Sequence, residues 1–189
     1  GRVGKTSILV RFCRGEFDDR QISTTSASYL DKTVTVNSQP VKLSIWDTAG
    51  QERFHALGPL YYRDADAALL VYDITDQQSF ERVKHWVKEL RKIVGNSITL
   101  CLAGNKCDLE RSRNVDKDEA LAYAKSVGAS HFLTSAKTNR GLEAAFTDIV
   151  TRTRARVCGG VATGTRPGGG RRSVLKIAED EPPKKSSCC

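Results

Sequence analysis

Gly1-Arg2-Val3-Gly4-Lys5-Thr6 opens the chain and reproduces the latter part of the pattern G-x-x-x-x-G-K-[ST]. A loop of this kind holds phosphate because a glycine-rich strand-to-helix turn brings backbone N–H groups to the anion and aims a helix start at it. On this reading Gly1, Val3, Gly4 and Ser7 lie along the phosphates, Lys5 adds a point charge and Thr6 offers its hydroxyl to magnesium. The pattern's first glycine and the strand feeding the loop fall ahead of residue 1. Because the chain also contains no methionine, the sequence is expected to begin inside the domain, with the first strand missing. Short Gly-Lys-Thr fragments also occur by chance in helices, so the rest of the chain has to support the reading.

Ala67–Tyr72 and Ile98–Ala103 are continuous apolar runs, the signature of parallel strands covered on both faces. Between them Phe80, Val83, Val87, Leu90 and Val94 recur at three and four, which predicts a helix over 76–94 packed on that sheet. Ser7–Arg14 carries Ile8, Leu9 and Phe12 on one helical face. Leu30–Asn37 and Val41–Trp46 alternate with period two and read as a hairpin closed by Ser38-Gln39-Pro40. Asp116, with Glu119 three residues on, marks a helix start that Gly128 ends. A short strand follows near His131–Thr134, and a last helix carries Leu142, Ala145, Phe146, Ile149 and Val150. From Gly159 onward the chain is rich in glycine, arginine, serine and proline and is expected to be disordered. This order gives an α/β fold of the phosphate-loop NTPase kind, a mostly parallel sheet with helices on both faces, whose ligands sit at the carboxyl ends of the strands.

The chemistry appears at those strand ends. Asp47-Thr48-Ala49-Gly50 follows the strand ending at Trp46, so the carboxylate can reach magnesium, usually through water, and the Gly50 N–H can face a terminal phosphate. Gln51 comes next, placed to orient a water for attack on that phosphate, although a loop glutamine is also an ordinary exposed residue. Asn105-Lys106-Cys107-Asp108 follows the second buried strand. A carboxylate at Asp108 that accepts from the ring N–H and the exocyclic amine of guanine cannot pair with adenine, so Asp108 would choose the base. Ser135-Ala136-Lys137 closes the same pocket after the next strand.

At 189 residues the chain is long enough for one domain and a tail. No apolar run approaches the roughly 20 residues of a membrane-spanning helix. Six cysteines, Cys13, Cys101, Cys107, Cys158, Cys188 and Cys189, match no zinc spacing and read as reduced thiols of a cytosolic protein. The net charge of +8 is unevenly placed: residues 151–189 hold nine bases against three acids, leaving residues 1–150 close to neutral. A basic end on a near-neutral body points to an anionic surface such as a membrane rather than to nucleic acid, with a merely solvated tail as the plain alternative.

Taken together, the motifs resemble a Ras-superfamily small GTPase of the Rab family, over residues 1 to about 155. Trp46-Asp47-Thr48-Ala49-Gly50-Gln51-Glu52-Arg53-Phe54 and Tyr72-Asp73-Ile74-Thr75 are Rab-like. His55-Ala56-Leu57-Gly58-Pro59-Leu60-Tyr61-Tyr62-Arg63 and Trp86-Val87-Lys88-Glu89-Leu90-Arg91-Lys92 narrow the likeness to the early-endosomal branch. The resemblance implies a small GTPase domain over 1–157 and a basic tail over 158–189 ending in a prenylation-type Cys188-Cys189, which does not fit the C-a-a-X rule but resembles the doubly geranylgeranylated Rab terminus. It implies that Thr24 is the switch threonine meeting magnesium and the terminal phosphate, with Thr25 its neighbour, and that Phe17 stacks near the base. Tyr29, Trp46 and Tyr61 resemble the aromatic triad read by effectors, with Tyr29 standing where phenylalanine is usual. Two loops, about 18–29 and 50–64, would be held by GTP and released with its terminal phosphate. Hydrolysis of GTP to GDP and phosphate would run at roughly 10⁻⁴ per second until an activating protein contributes. An exchange factor, effectors and prenyl-delivery proteins are the other partners implied, on the cytoplasmic face of early endosomal membranes and in a cytosolic pool. A scaffold that binds guanine nucleotide without hydrolysis would be expected to lack Gln51, and an ATP-driven protein would be expected to lack the Asn105-Lys106-x-Asp108 arrangement.

Overall fold

The computed structural model describes residues 2–22, 24, 28–48 and 64–159, and a strand at 173–177; for residues 158, 159 and 173–177 the backbone alone is considered. In chain order the elements are α1 (Lys5–Arg14), β1 (Ser28–Val36), β2 (Gln39–Asp47), β3 (Ala67–Asp73), α2 (Gln77–Val94), β4 (Thr99–Asn105), a 3-10 turn (Cys107–Ser112), α3 (Lys117–Ser126), β5 (Ser130–Leu133), α4 (Leu142–Gly159) and β6 (Ser173–Ile177). The described strands form one sheet in the order β1-β2-β6-β3-β4-β5, in which only the β1–β2 pair is antiparallel.

The apolar runs divide by alternation. Ala67, Leu69 and Val71 of β3 face the cluster built by Ile8, Leu9 and Phe12 of α1 and Leu142, Phe146 and Ile149 of α4. Ala68, Leu70 and Tyr72 face the opposite cluster, built by Phe80, Val83, Trp86 and Leu90 of α2 with Ala120 and Ala124 of α3. Both faces are therefore covered, and every residue of β3 and β4 is buried. Phe12 and Phe146 stack with ring centroids 3.7 Å apart, fixing α1 against α4.

Helix ends follow local chemistry. Asp76 caps α2 by accepting from the Ser79 N–H, and Gly95 at φ 79° ends it. Asp116 caps α3 by accepting from the Glu119 N–H at 2.8 Å. Glu119 turns its carboxylate to Lys84 Nζ at 2.7 Å and so ties α3 to α2.

Two sequence expectations need correction. The hairpin turns at Asn37-Ser38, both at positive φ (51° and 60°), as a two-residue turn matching strand twist requires. Pro40 is the second residue of β2, opposite Thr35 of the edge strand β1, a place where a missing N–H is tolerated. The larger difference lies in the tail: Ser173–Ile177, expected to be without structure, is β6 and lies between β2 and β3. The physical reason is long-range, because β2 and β3 do not pair with each other and their inward N–H and C=O groups need a partner between two helical layers.

Candidate functional site

The carboxyl ends of the strands border a cavity of about 670 Å³ lined by Arg2 to Ser7, Phe17 to Ile22, Thr24, Asn105, Lys106, Asp108, Leu109, Ala136 and Lys137. Its floor is the start of α1. Gly4 adopts φ 88°, a left-handed turn that side chains resist, and its carbonyl accepts from the Ile8 N–H at 2.9 Å to begin the helix. Lys5, the first helical residue, is buried.

At one end of the cavity the Thr6 hydroxyl donates to Asp47 Oδ2 at 2.7 Å, and Thr24 Oγ1 lies 2.6 Å from Thr6 Oγ1. With the Thr6 proton committed to Asp47, the Thr24 hydroxyl donates to Thr6. Asp47 ends β2 fully buried, and its Oδ1 finds no hydrogen-bond partner among the described residues. Burial pushes its carboxyl pKa above the ordinary value, opposed by the Thr6 hydrogen bond and the Lys5 charge. Two hydroxyls and a buried carboxylate with a spare oxygen are the hard donors that Mg²⁺ takes beside water and phosphate, so the residues present fit that ion.

At the other end Asn105 joins three segments. Its Nδ2 donates to the Val3 carbonyl at 2.8 Å, and its Oδ1 accepts from Thr134 Oγ1 and the Ala136 N–H, each at 3.3 Å. The phosphate loop, β4 and the segment after β5 are thereby held as one cleft. Lys106 sits at φ 63° and pairs with Asp73 Oδ2 at 2.6 Å, while Asp73 Oδ1 accepts from the Thr75 N–H and hydroxyl. Asp108 Oδ1 accepts from the Ser135 hydroxyl at 2.6 Å. Ser135 and Arg140 exchange backbone hydrogen bonds, which folds Ala136 and Lys137 back over the cavity. Arg11 of α1 adds a bond to the Lys137 carbonyl at 3.2 Å.

The fold thus gathers Val3, Gly4, Lys5, Thr6, Ser7, Phe17, Thr24, Asn105, Lys106, Asp108, Ala136 and Lys137 on the cavity wall, with Asp47 and Ser135 bonded to that wall from behind. Gly1, Thr25, Ala49, Gly50, Gln51, Tyr61, Cys188 and Cys189 lie outside the described residues. Tyr29 and Trp46 oppose each other across β1 and β2, ring centroids 5.1 Å apart edge to face, and the Tyr29 hydroxyl donates to Asp31 and lies 2.8 Å from Ser44 Oγ. Cys107 turns into the core rather than the cavity. Sequence reasoning missed the roles of Asp73, Thr134 and Arg11. Asp73 alone carried a signal, as an acid at the end of a buried strand.

The Ras family profile matches residues 1–155. The chain belongs to the Ras family. Among curated proteins, Ras-related protein Rab-21 of Canis lupus familiaris and that of Homo sapiens are each 52% identical over 200 residues, spanning all of this chain and 87% of the relative. Ras-related protein Rab-5A of Dictyostelium discoideum is 45% identical over 187 residues, spanning 99% of this chain and 90% of the relative. These relatives place it among the Rab GTPases, in the early endosomal branch. The Ras-family fold, with its mostly parallel sheet and helices on both faces, and the GTPase activity follow from that membership.

Proposed function

We propose that the chain is a GTP-binding and GTP-hydrolysing switch that cycles between GDP and GTP states and regulates early endosomal membrane traffic. The observation that carries this reading is the Asn105 bridge: one buried amide bonds the phosphate loop at Val3 and the segment at Ala136, so phosphate and base are gripped by a single framework.

In this reading Asp108, released from Ser135, accepts from the guanine ring N–H and amine, with Ser135-Ala136-Lys137 walling the base and Phe17 stacking beside it. Lys5 and the backbone of residues 1–7 hold the phosphates. Thr6 and Thr24 would hold Mg²⁺ directly and Asp47 through water, and the ion when bound neutralises charge on the terminal phosphates. Gln51 orients the attacking water, and the Gly50 N–H faces the phosphate it attacks. Thr24 and Gly50 sense the terminal phosphate, so their two loops relax once it leaves. The triad of Tyr29, Trp46 and Tyr61 presents the state to effectors. An exchange factor and an activating protein set the two rates.

No helix among the described residues is long and apolar enough to cross a membrane. Attachment is through prenyl groups on Cys188 and Cys189 supplied by delivery proteins. The test is competition for a fluorescent guanine nucleotide with Mg²⁺ present. GTP and GDP are expected to displace it at concentrations at least a thousandfold below ATP, and equal displacement by ATP would remove the guanine reading.

A further inference from the structure

At the base end of the cavity stands a lysine whose charge is committed elsewhere. Lys106 lines the cavity, but its ammonium meets Asp73 Oδ2 at 2.6 Å, and Asp73 lies off the cavity wall. The two residues come from neighbouring strand ends. Asp73 closes β3 as the register partner of Asn105 at the end of β4, so Lys106 reaches back across the ladder by one position. The Asp73 side chain is 9% exposed and that of Lys106 34%, which puts the carboxylate inside and leaves the lysine partly open to water. A lysine stem is flexible, and without an anchor for its ammonium it has no fixed place on a wall.

The carboxylate is aimed. Its Oδ1 accepts from the Thr75 N–H at 2.9 Å and the Thr75 hydroxyl at 2.8 Å, which turns Oδ2 toward Lys106. The backbone of this turn is held by other bonds. The Asp73 N–H donates to Ser79 Oγ, the Asp73 carbonyl accepts from the Asp76 N–H, and the Ile74 N–H donates to the Asn105 carbonyl. The Ile74 carbonyl accepts from the N–H groups of Asn114 and Val115. Lys106 also sits between the two grips of the site, Asn105 bonded to Val3 and Ala136, and Asp108 bonded to Ser135. It holds φ 63°, a left-handed backbone that an ordinary residue resists, so its placement relies on what binds it from outside.

We propose that Asp73 is a positioning residue for the bound nucleotide: by anchoring the Lys106 ammonium off the cavity, it fixes the Lys106 stem as a wall of the base pocket and slows nucleotide release. This role rests on the guanine-nucleotide reading given above; the ion pair does not.

Release of a fluorescent GDP analogue from the Mg²⁺-loaded full chain, chased with excess GDP, measures the effect. Asp73→Asn keeps the size and the acceptor for Thr75 but loses the charge that holds Lys106, and is expected to speed release about tenfold or more. Lys106→Met keeps a stem without the ammonium and should do the same. The double variant has no tie left to break, so its release should match the faster single variant within about threefold, whereas independent effects would multiply to about a hundredfold. NMR of the lysine ammonium groups reads the tie without nucleotide: the Lys106 signal, protected from exchange with water by its bond to Asp73, should be lost in Asp73→Asn. Multiplying rates in the double variant, or unchanged release in Asp73→Asn with the ammonium signal lost, would overturn the positioning role. Should Asp73→Asn not fold, Lys106→Met alone decides, because release at the unmodified rate would overturn it equally. An unmodified chain that shows the protected ammonium but holds no GDP would overturn the nucleotide reading, and the positioning role with it.

Discussion

Replacing Gly4 with alanine tests how the two ends of the cavity are joined. Gly4 lies at φ 88°, and a Cβ there would sit 2.6 Å from Asn105 Nδ2. The left-handed backbone costs an ordinary residue roughly 1–2 kcal/mol. The Asn105 amide cannot swing aside freely, since it is buried and spans Val3 on one side and Ala136 on the other. Losing its bond to the Val3 carbonyl leaves a buried acceptor unsatisfied, at about 1–3 kcal/mol. The sum, about 2–5 kcal/mol, corresponds to a loss of GDP affinity between about thirtyfold and a few thousandfold if the strain falls on the bound state. Titration of a fluorescent GDP analogue at fixed salt and Mg²⁺ reads it. The same change in an Asn105→Ala background removes the colliding atom, so only the backbone part should remain, roughly tenfold. An equal loss in both backgrounds would refute the collision with Asn105 as the mechanism.

Burial holds the Asp47 carboxyl above its ordinary range, so the folded metal-free chain binds that proton more tightly than the unfolded chain does. Its contribution to stability is present below the ordinary value and lost as pH rises through the raised one; correspondingly, Mg²⁺-dependent retention of GDP should weaken as pH falls from neutrality toward about 4. Nucleotide-release rates across that range should lose this dependence in Asp47→Asn, and an unchanged profile would remove Asp47 from the metal site. Gln51→Leu is expected to keep nucleotide binding within about threefold while abolishing most activator-stimulated hydrolysis, read by phosphate release in single turnover, because the water loses its orienting amide. Replacing both Cys188 and Cys189 with serine should move the protein from membrane to soluble fractions, and replacing one should leave weak or misdirected attachment, since a single lipid chain anchors only marginally. Persistent membrane association of the double variant would place the anchor elsewhere.

The parts of the fold legible in the sequence are those whose state local chemistry decides. β3 and β4 read as buried strands because both faces meet helices, so no charged residue interrupts them before Asp73 and Asn105. α2 announces itself by the spacing of Phe80, Val83, Val87 and Leu90, and α3 by Asp116, whose side chain accepts the bond that a cap requires. Pro40 drew the hairpin turn too far along the chain because its breaking tendency is local, whereas its tolerance at the second residue of β2 depends on the neighbouring strand. β6 was illegible for a stronger version of the same reason: its five residues, set among charged neighbours, carry too short a pattern, and their state is set by two strands more than a hundred residues earlier. In the site, the motif residues after each strand could be named in advance, because strand ends fix where they point. The Asp73–Lys106 pair and the close packing of the Tyr72 hydroxyl, bonded to His131, against Gly104 arise between elements and had no signature in one of them alone.

Reading of guanine by Asp108 is measured by the nucleotide preference of Asp108→Asn. Wild-type chain and variant would be titrated with GTP and with xanthosine triphosphate, whose ring carries a carbonyl where guanine has its amine. Exchanging the acceptor for an amide donor should weaken GTP by about 10⁴ or more and bring xanthosine triphosphate to comparable or tighter binding than GTP in the variant. A variant that still prefers GTP by the wild-type margin would contradict the account and assign base selection to another residue.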